Sequence, residues 1–200
     1  MGVVKLSTAG ILDYQKYSSA LAGNTPYSPP VLAYDLLETE ILTGSQASVT
    51  FSSLNSTYGA DYQHLQVRMV VRVSSGGTNS RLKFTVNGGG TFSYHGLQGN
   101  GSSVGSESGT SQSYGYASRA AASGATANSF GAAVMDILDP FETTKYTTFR
   151  SLAGNPSIEV NLWSNAFLST NAVDSLAFSD LNAGDLVSGT RISLYGLKAA

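Results

Sequence analysis

The segment from His64 to Val73 constrains this chain more than any other. Leu65, Val67, Met69, Val71 and Val73 fall on one side, and His64, Gln66, Arg68 and Arg72 on the other. Residues two apart share a face only in an extended strand, and on a helix this string would mix charged with apolar groups. The same period recurs along the chain. Tyr34–Leu42 is partly alternating, and Ser48–Ser52 is strictly so. Arg81–Val86, Phe92–Leu97, Ala132–Leu138, Tyr146–Leu152, Ile158–Ser164, Val173–Phe178 and Arg191–Leu197 follow. Gly/Ser/Asn/Thr stretches separate them, as turns require. In the strand Ile158–Ser164, Ile158, Val160 and Leu162 share one face and Trp163 lies on the other.

This pattern predicts an all-β fold, an antiparallel β-sandwich of about nine to eleven strands. Two hundred residues suffice for one such domain with a sizeable core. The stretch Gly99 to Asn128 is nearly all Gly, Ala, Ser and Thr, apart from Tyr114 and Tyr116. It reads as a long loop with at most one short strand, near Ser113–Ala117.

Residues 1–30 differ from the rest. Ile11–Ala22 can form a short helix that places Leu12, Tyr14 and Tyr17 roughly on one side, with Gly23-Asn24 as its stop. Pro26, Pro29 and Pro30 then impose a stiff, extended connection. The expected organisation is an anchoring arm and linker over 1–30, followed by a sandwich domain over 31–200. Leu12, Tyr14, Tyr17 and Leu21 are the candidate partner-docking residues of the arm. The competing reading folds the arm back onto its own domain.

Charge narrows the partners. Only 12% of residues are charged, about half the usual share, and the net charge is −2. The eleven Lys and Arg are scattered, so no electrostatic footprint for nucleic acid exists. No apolar run approaches the roughly 18 residues a membrane helix needs, and no membrane insertion is expected. With no cysteine, disulfides and thiolate chemistry are excluded.

Catalytic patterns are weak. Gly101-Ser102-Ser103-Val104-Gly105 matches the hydrolase elbow in letters, but both histidines, His64 and His95, precede it. Those histidines lie on different strands and form no ligand pair, so no metal or other cofactor is expected. Asp136 and Asp139, the latter before Pro140, read as a strand terminator. Glu38 and Glu40 would share a strand face, as paired carboxylates on an outer surface commonly do. The expectation is a protein that is not an enzyme. Ligand binding without catalysis stays open, because the chain carries 11 Tyr and one Trp. Tyr94, Tyr114 and Tyr116 are the candidate glycan contacts, since aromatic faces stack on sugar rings. The competing reading of these rings, and of Trp163, is core or subunit interface.

Several segments, in order, resemble a group of tailed-bacteriophage virion proteins. They include Tyr14-Gln15-Lys16-Tyr17 with Leu21-Ala22-Gly23-Asn24, and Tyr34–Thr39 followed by Ser48–Leu54. Tyr62–Arg68, Ala125–Gly131, Thr143–Tyr146 and Ser188–Gly196 complete the set. The resemblance implies a sandwich of jelly-roll type located in the virion, as a tail, fibre, adaptor or head-surface component. It also implies a symmetric oligomer, expected to be a homotrimer, with the arm binding other virion proteins. A capsid decoration or cement protein and a host-surface carbohydrate-binding module are the alternatives. The resemblance carries over no functional residues.

Overall fold

The computed structural model of the chain describes residues 34–156 and 158–198. The helix expected over Ile11–Ala22, the proline linker and the docking residues Leu12, Tyr14, Tyr17 and Leu21 lie outside the described residues. Within them the strands are β1 (Asp35–Ile41), β2 (Ser48–Phe51), β3 (His64–Val71), β4 (Asn79–Val86), β5 (Phe92–Gly99) and β6 (Val104–Gln112). They continue as β7 (Gly115–Ala121), β8 (Gly131–Leu138), β9 (Thr147–Asn155), β10 (Glu159–Phe167), β11 (Leu176–Asp180) and β12 (Arg191–Leu197). One short helix, α1 (Leu54–Tyr58), follows β2 and buries Leu54.

The strands form two antiparallel sheets. The larger has eight strands in the order β1-β12-β3-β8-β9-β10-β5-β6, and the smaller four in the order β2-β11-β4-β7. The fold is an all-β sandwich. The alternating face of β3 is the buried one: Leu65, Val67, Met69 and Val71 are all covered. They join a core whose centre is Phe84 of the small sheet. Its ring lies 4.7 Å from Phe149, 5.5 Å from Phe92 and 6.4 Å from Phe178. Offset and edge-on rings at these distances add to the burial energy of the side chains.

The expected loop over Gly99 to Asn128 is a correction. It contains two full strands, β6 and β7. β6 is an edge strand built from Gly, Ser and Thr, held by its register on β5 from Phe92↔Gln112 to Gly99↔Val104. β7 has no period-2 pattern because all seven of its residues are buried. Along one edge it pairs with β4, and it also crosses over β8, β9 and β10 of the other sheet. This close crossing depends on small residues. A Cβ on Gly131 would stand 1.8 Å from the Arg119 carbonyl oxygen, so only glycine fits there.

The crossing also explains an inversion in β9 and β10. An edge strand turned inward leaves backbone groups without sheet partners, and buried backbone groups must be satisfied. Asn165 supplies this from β10. Its Oδ1 accepts from the Tyr116 N–H at 2.9 Å, and its Nδ2 donates to the Tyr116 carbonyl at 3.1 Å. From β9, the Ser151 hydroxyl donates to the Ala117 carbonyl. Ser151 and Asn165 therefore face inward, and Leu152, Val160 and Leu162 are left exposed on the other side.

Candidate functional site

The outward face of the eight-stranded sheet carries the most distinctive surface of the domain. Strand register sorts its side chains into cross-strand rows. One row runs Val134, Leu152, Leu162 and Leu97 across β8, β9, β10 and β5. The next row, two residues along, carries Ile41, Arg191, Val70, Ala132, Gly154, Val160, Gly99 and Val104 in that order. Val104 is 92% exposed, Leu97 60%, and Leu152 and Val160 59% each. Directly opposed side chains within a row pack on each other, so these residues form an apolar band that Arg191 interrupts only near the β1 edge, between Ile41 and Val70.

Toward the other end of the strands the face turns polar. The third row carries Gln66, Asp136, Arg150, Ser164 and His95 on adjacent strands. Arg150 donates to Asp136 Oδ2 at 2.8 Å, and Gln66 Nε2 donates to Oδ1 at 2.8 Å. Burial pushes the Asp136 carboxyl upward, but the bonds from Arg150 and Gln66 outweigh it and hold the group below its ordinary value. Two adjoining depressions of about 390 Å³ each mark the face and share Leu97 and Leu162. His95, Ser106, Ser108 and Ser164 line the more polar one, and Val104, Leu152 and Val160 the more apolar one. No Phe, Tyr or Trp lines either.

The candidate glycan residues come together elsewhere, between the sheets at the β5–β6 edge. The Tyr94 and Tyr116 rings lie 4.8 Å apart, Tyr114 and Tyr116 5.4 Å, and Tyr116 and Trp163 5.8 Å. Tyr94, Tyr116 and Trp163 are buried, and Tyr114 is half-buried with Lys83 over its ring. Of the three tyrosines, Tyr114 alone leaves much ring surface for a sugar. Charges are threaded through the cluster. Glu107 accepts from Trp163 Nε1 at 3.1 Å and pairs with Arg81 at 2.6 Å. Arg119 pairs with Glu159 at 2.6 Å. Burial, together with hydrogen bonding to Tyr116, pushes the Tyr94 phenol up to about 12. Gly96, the cross-strand partner of Trp163, is needed here, because a Cβ would lie 2.5 Å from the indole.

The weak catalytic patterns resolve into structural features. Ser103 sits in the β5–β6 hairpin, a strand-to-strand turn. The Asn100 Oδ1 accepts from the backbone and hydroxyl of both Ser102 and Ser103. The elbow chemistry needs a helix after the turn, and β6 follows instead. His64 Nδ1 accepts from the Asp139 N–H at 3.0 Å, and Asp139 also pairs with Lys145, which closes the end of β8. Glu38 accepts from the Tyr58 hydroxyl at 3.1 Å. Among the described residues no group of three metal-ligating side chains assembles, and no helix is long and apolar enough to cross a membrane.

The outer band was missed at the sequence level. Its signal was present as Val160 and Leu162 opposite Trp163, but alternation does not say which face turns inward. No protein-family model matches the chain, and no curated protein is significantly similar to it.

Proposed function

We propose that this protein is a non-catalytic assembly subunit, a structural component of a tailed-phage virion built into the tail, a fibre or an adaptor as a symmetric oligomer. The observation that carries the assembly reading is the apolar band on the outward face of the eight-stranded sheet. Leu152, Leu162, Val160 and Leu97 line up across neighbouring strands with their side chains in solvent. An apolar patch of this continuity on a sheet is the mark of a surface that something covers. The virion context rests on the sequence resemblance, and the low charge of the chain suits a subunit shielded by neighbours.

A host-glycan role would have to use Tyr114 or the polar depression beside His95, because the other aromatic candidates are buried. The experiment that tests the virion role is mass spectrometry of purified particles separated into heads and tails. The expected result is the chain in the tail fraction at a copy number fixed by symmetry. Recovery with heads would assign it to capsid decoration, and absence from both fractions would overturn the virion reading.

A further inference from the structure

The rows of the outward face have an order that bears on what covers them. We infer that a second copy of this chain covers the outward face of the eight-stranded sheet, face to face, about a twofold axis running parallel to the strands between β8 and β9. The inference deepens the assembly reading and rests on it.

The argument is one of matching. An axis between β8 and β9 divides the sheet into halves of four strands. It lays β8 over the partner's β9, β3 over β10, β12 over β5 and β1 over β6. Because the axis is parallel to the strands, each row meets its own row in the other copy. Facing sheets keep their strand directions within about 30° and stand about 10 Å apart, which this arrangement satisfies.

Row by row, the contacts are complementary. In the second row Val104, 92% exposed at one sheet edge, meets Ile41, 58% exposed at the other. Val160 meets Val70, Arg191 meets Gly99, whose lack of a side chain leaves room for the guanidinium, and the pair Ala132 and Gly154 falls beside the axis, where the two backbones approach most closely. In the first row Val134 meets Leu152. Leu162 meets Arg68, whose guanidinium is drawn aside, 4.7 Å from the Tyr195 ring and 5.2 Å from that of Tyr34.

In the polar row Asp136 meets Arg150, and Arg150 meets Asp136. Each carboxylate thus gains a second guanidinium beside the one it already holds at 2.8 Å. The Arg150 side chain is 65% exposed and has a free side for this contact. The same patch serves both copies, as a closed twofold interface requires.

The area is sufficient. Eight strands at their usual spacing, over these three rows, present a face of roughly 780 Å². A stable interface takes about 800 Å² from each partner. The apolar band supplies a strip at one end of the strands, and the charged row flanks it on the other side.

Sedimentation velocity of the full chain over a concentration series, combined with cross-linking, tests the inference. The chain has no native cysteine, so a single introduced thiol reports unambiguously. Ala132→Cys lies near the axis and is expected to give a cross-linked dimer with a short bis-maleimide. Thr50→Cys, on the exposed side of the small sheet, is expected to give none. Leu152→Asp places a carboxylate in the covered strip and is expected to raise the dimer dissociation constant about 100-fold or more. Val160→Lys serves as the second variant with the same readout should Leu152→Asp disturb the fold, as judged by circular dichroism. A monomer at all concentrations, a trimer, or a dimer that survives both variants and cross-links through residue 50 would overturn the twofold face. A trimer would do so while leaving the assembly reading intact, and the head-and-tail fractionation tests that reading separately.

Discussion

Replacing Gly131 by alanine tests the central feature of the fold, the crossing of β7 over β8. The added Cβ would lie 1.8 Å from the Arg119 carbonyl oxygen, 2.9 Å from its carbon and 3.2 Å from the Ala120 Cα. All three are backbone atoms, so no side chain can swing away. Relief requires the two strands to separate by more than 1 Å, on the order of the gap between this approach and ordinary contact distance. β7 is not free to move. Asn165 holds the Tyr116 backbone from both sides, and the Ala121 carbonyl accepts from the Val73 N–H at 2.9 Å. Arg119 is tied to Glu159. Overpacking a core costs about 1–3 kcal/mol, and a backbone clash belongs at the upper end, near 3 kcal/mol. For a domain of this size that lowers Tm by about 6–12 °C. Urea unfolding followed by Trp163 fluorescence gives the comparison, with Gly44→Ala as the control. A Cβ on Gly44 meets nothing within 4 Å, so the control should stay within about 0.5 kcal/mol of the parent. If Gly131→Ala unfolds at the same urea concentration as the control, β7 does not cross β8 as described.

Three further outcomes follow from particular contacts. Arg72 donates to the Thr126 and Ser129 carbonyls at 2.9 Å and to the Ala125 carbonyl at 3.2 Å, gathering the turn between β7 and β8 around one cation. Arg72→Ala should expose residues 122–130 to hydrogen exchange and proteolysis while the β3 and β8 amides keep their protection; uniform loss across the domain would refute a local role. Asn161 is buried, and neither amide atom has a hydrogen-bond partner among the described residues. Asn161→Leu should therefore raise stability by about 1–2 kcal/mol in urea unfolding, and a destabilised variant would count against an unsatisfied amide at this position. The Tyr94 phenol is pushed up to about 12 in the fold, against 10.0 when free. Its contribution to stability is complete below pH 10 and is lost as the pH rises through 12, because the unfolded chain releases the proton first. Unfolding free energy should fall over that window, and Tyr94→Phe should flatten the fall; an unchanged slope would remove Tyr94 as its source.

Strand positions were legible wherever one face was buried and the other wet. β3 is the plainest case, since its Leu65-Val67-Met69-Val71 face packs on the core as alternation predicts. β6 and β7 were not legible, for opposite reasons. After Val104, β6 exposes only Ser and Thr on its outer side and carries Gly105, Glu107 and Gly109 on its inner side, where a charge survives only by pairing with Arg81 and Trp163. β7 is covered on both faces, so small residues replace a period of two. The tyrosine cluster was visible as a set of residues but not as a place. Nothing in the spacing of Tyr94, Tyr114 and Tyr116 says that Trp163, from a strand about fifty residues on, closes over them.

The sign of alternation was the harder part, and it carries the functional argument. In β10 the apolar face was read correctly as a face, yet Val160 and Leu162 point to solvent while Asn161, Asn165 and Trp163 point inward. A hydrophobic rule alone would have turned the strand over. A one-residue slip, however, would remove Asn165 from the Tyr116 backbone and bury Leu162 against unpaired β7 groups. Asn165 of β10, like Ser151 of β9, is thus fixed by β7. That constraint does not require leucine and valine on the opposite side, where serine or threonine would fit a strand equally well. Beyond Val104, the outer residues of β6 are Ser106, Ser108 and Thr110, so this sheet does use such residues on its outer side. Apolar side chains in register across β8, β9, β10 and β5 are therefore a separate feature from the fold's internal needs, and the second copy proposed above would account for them.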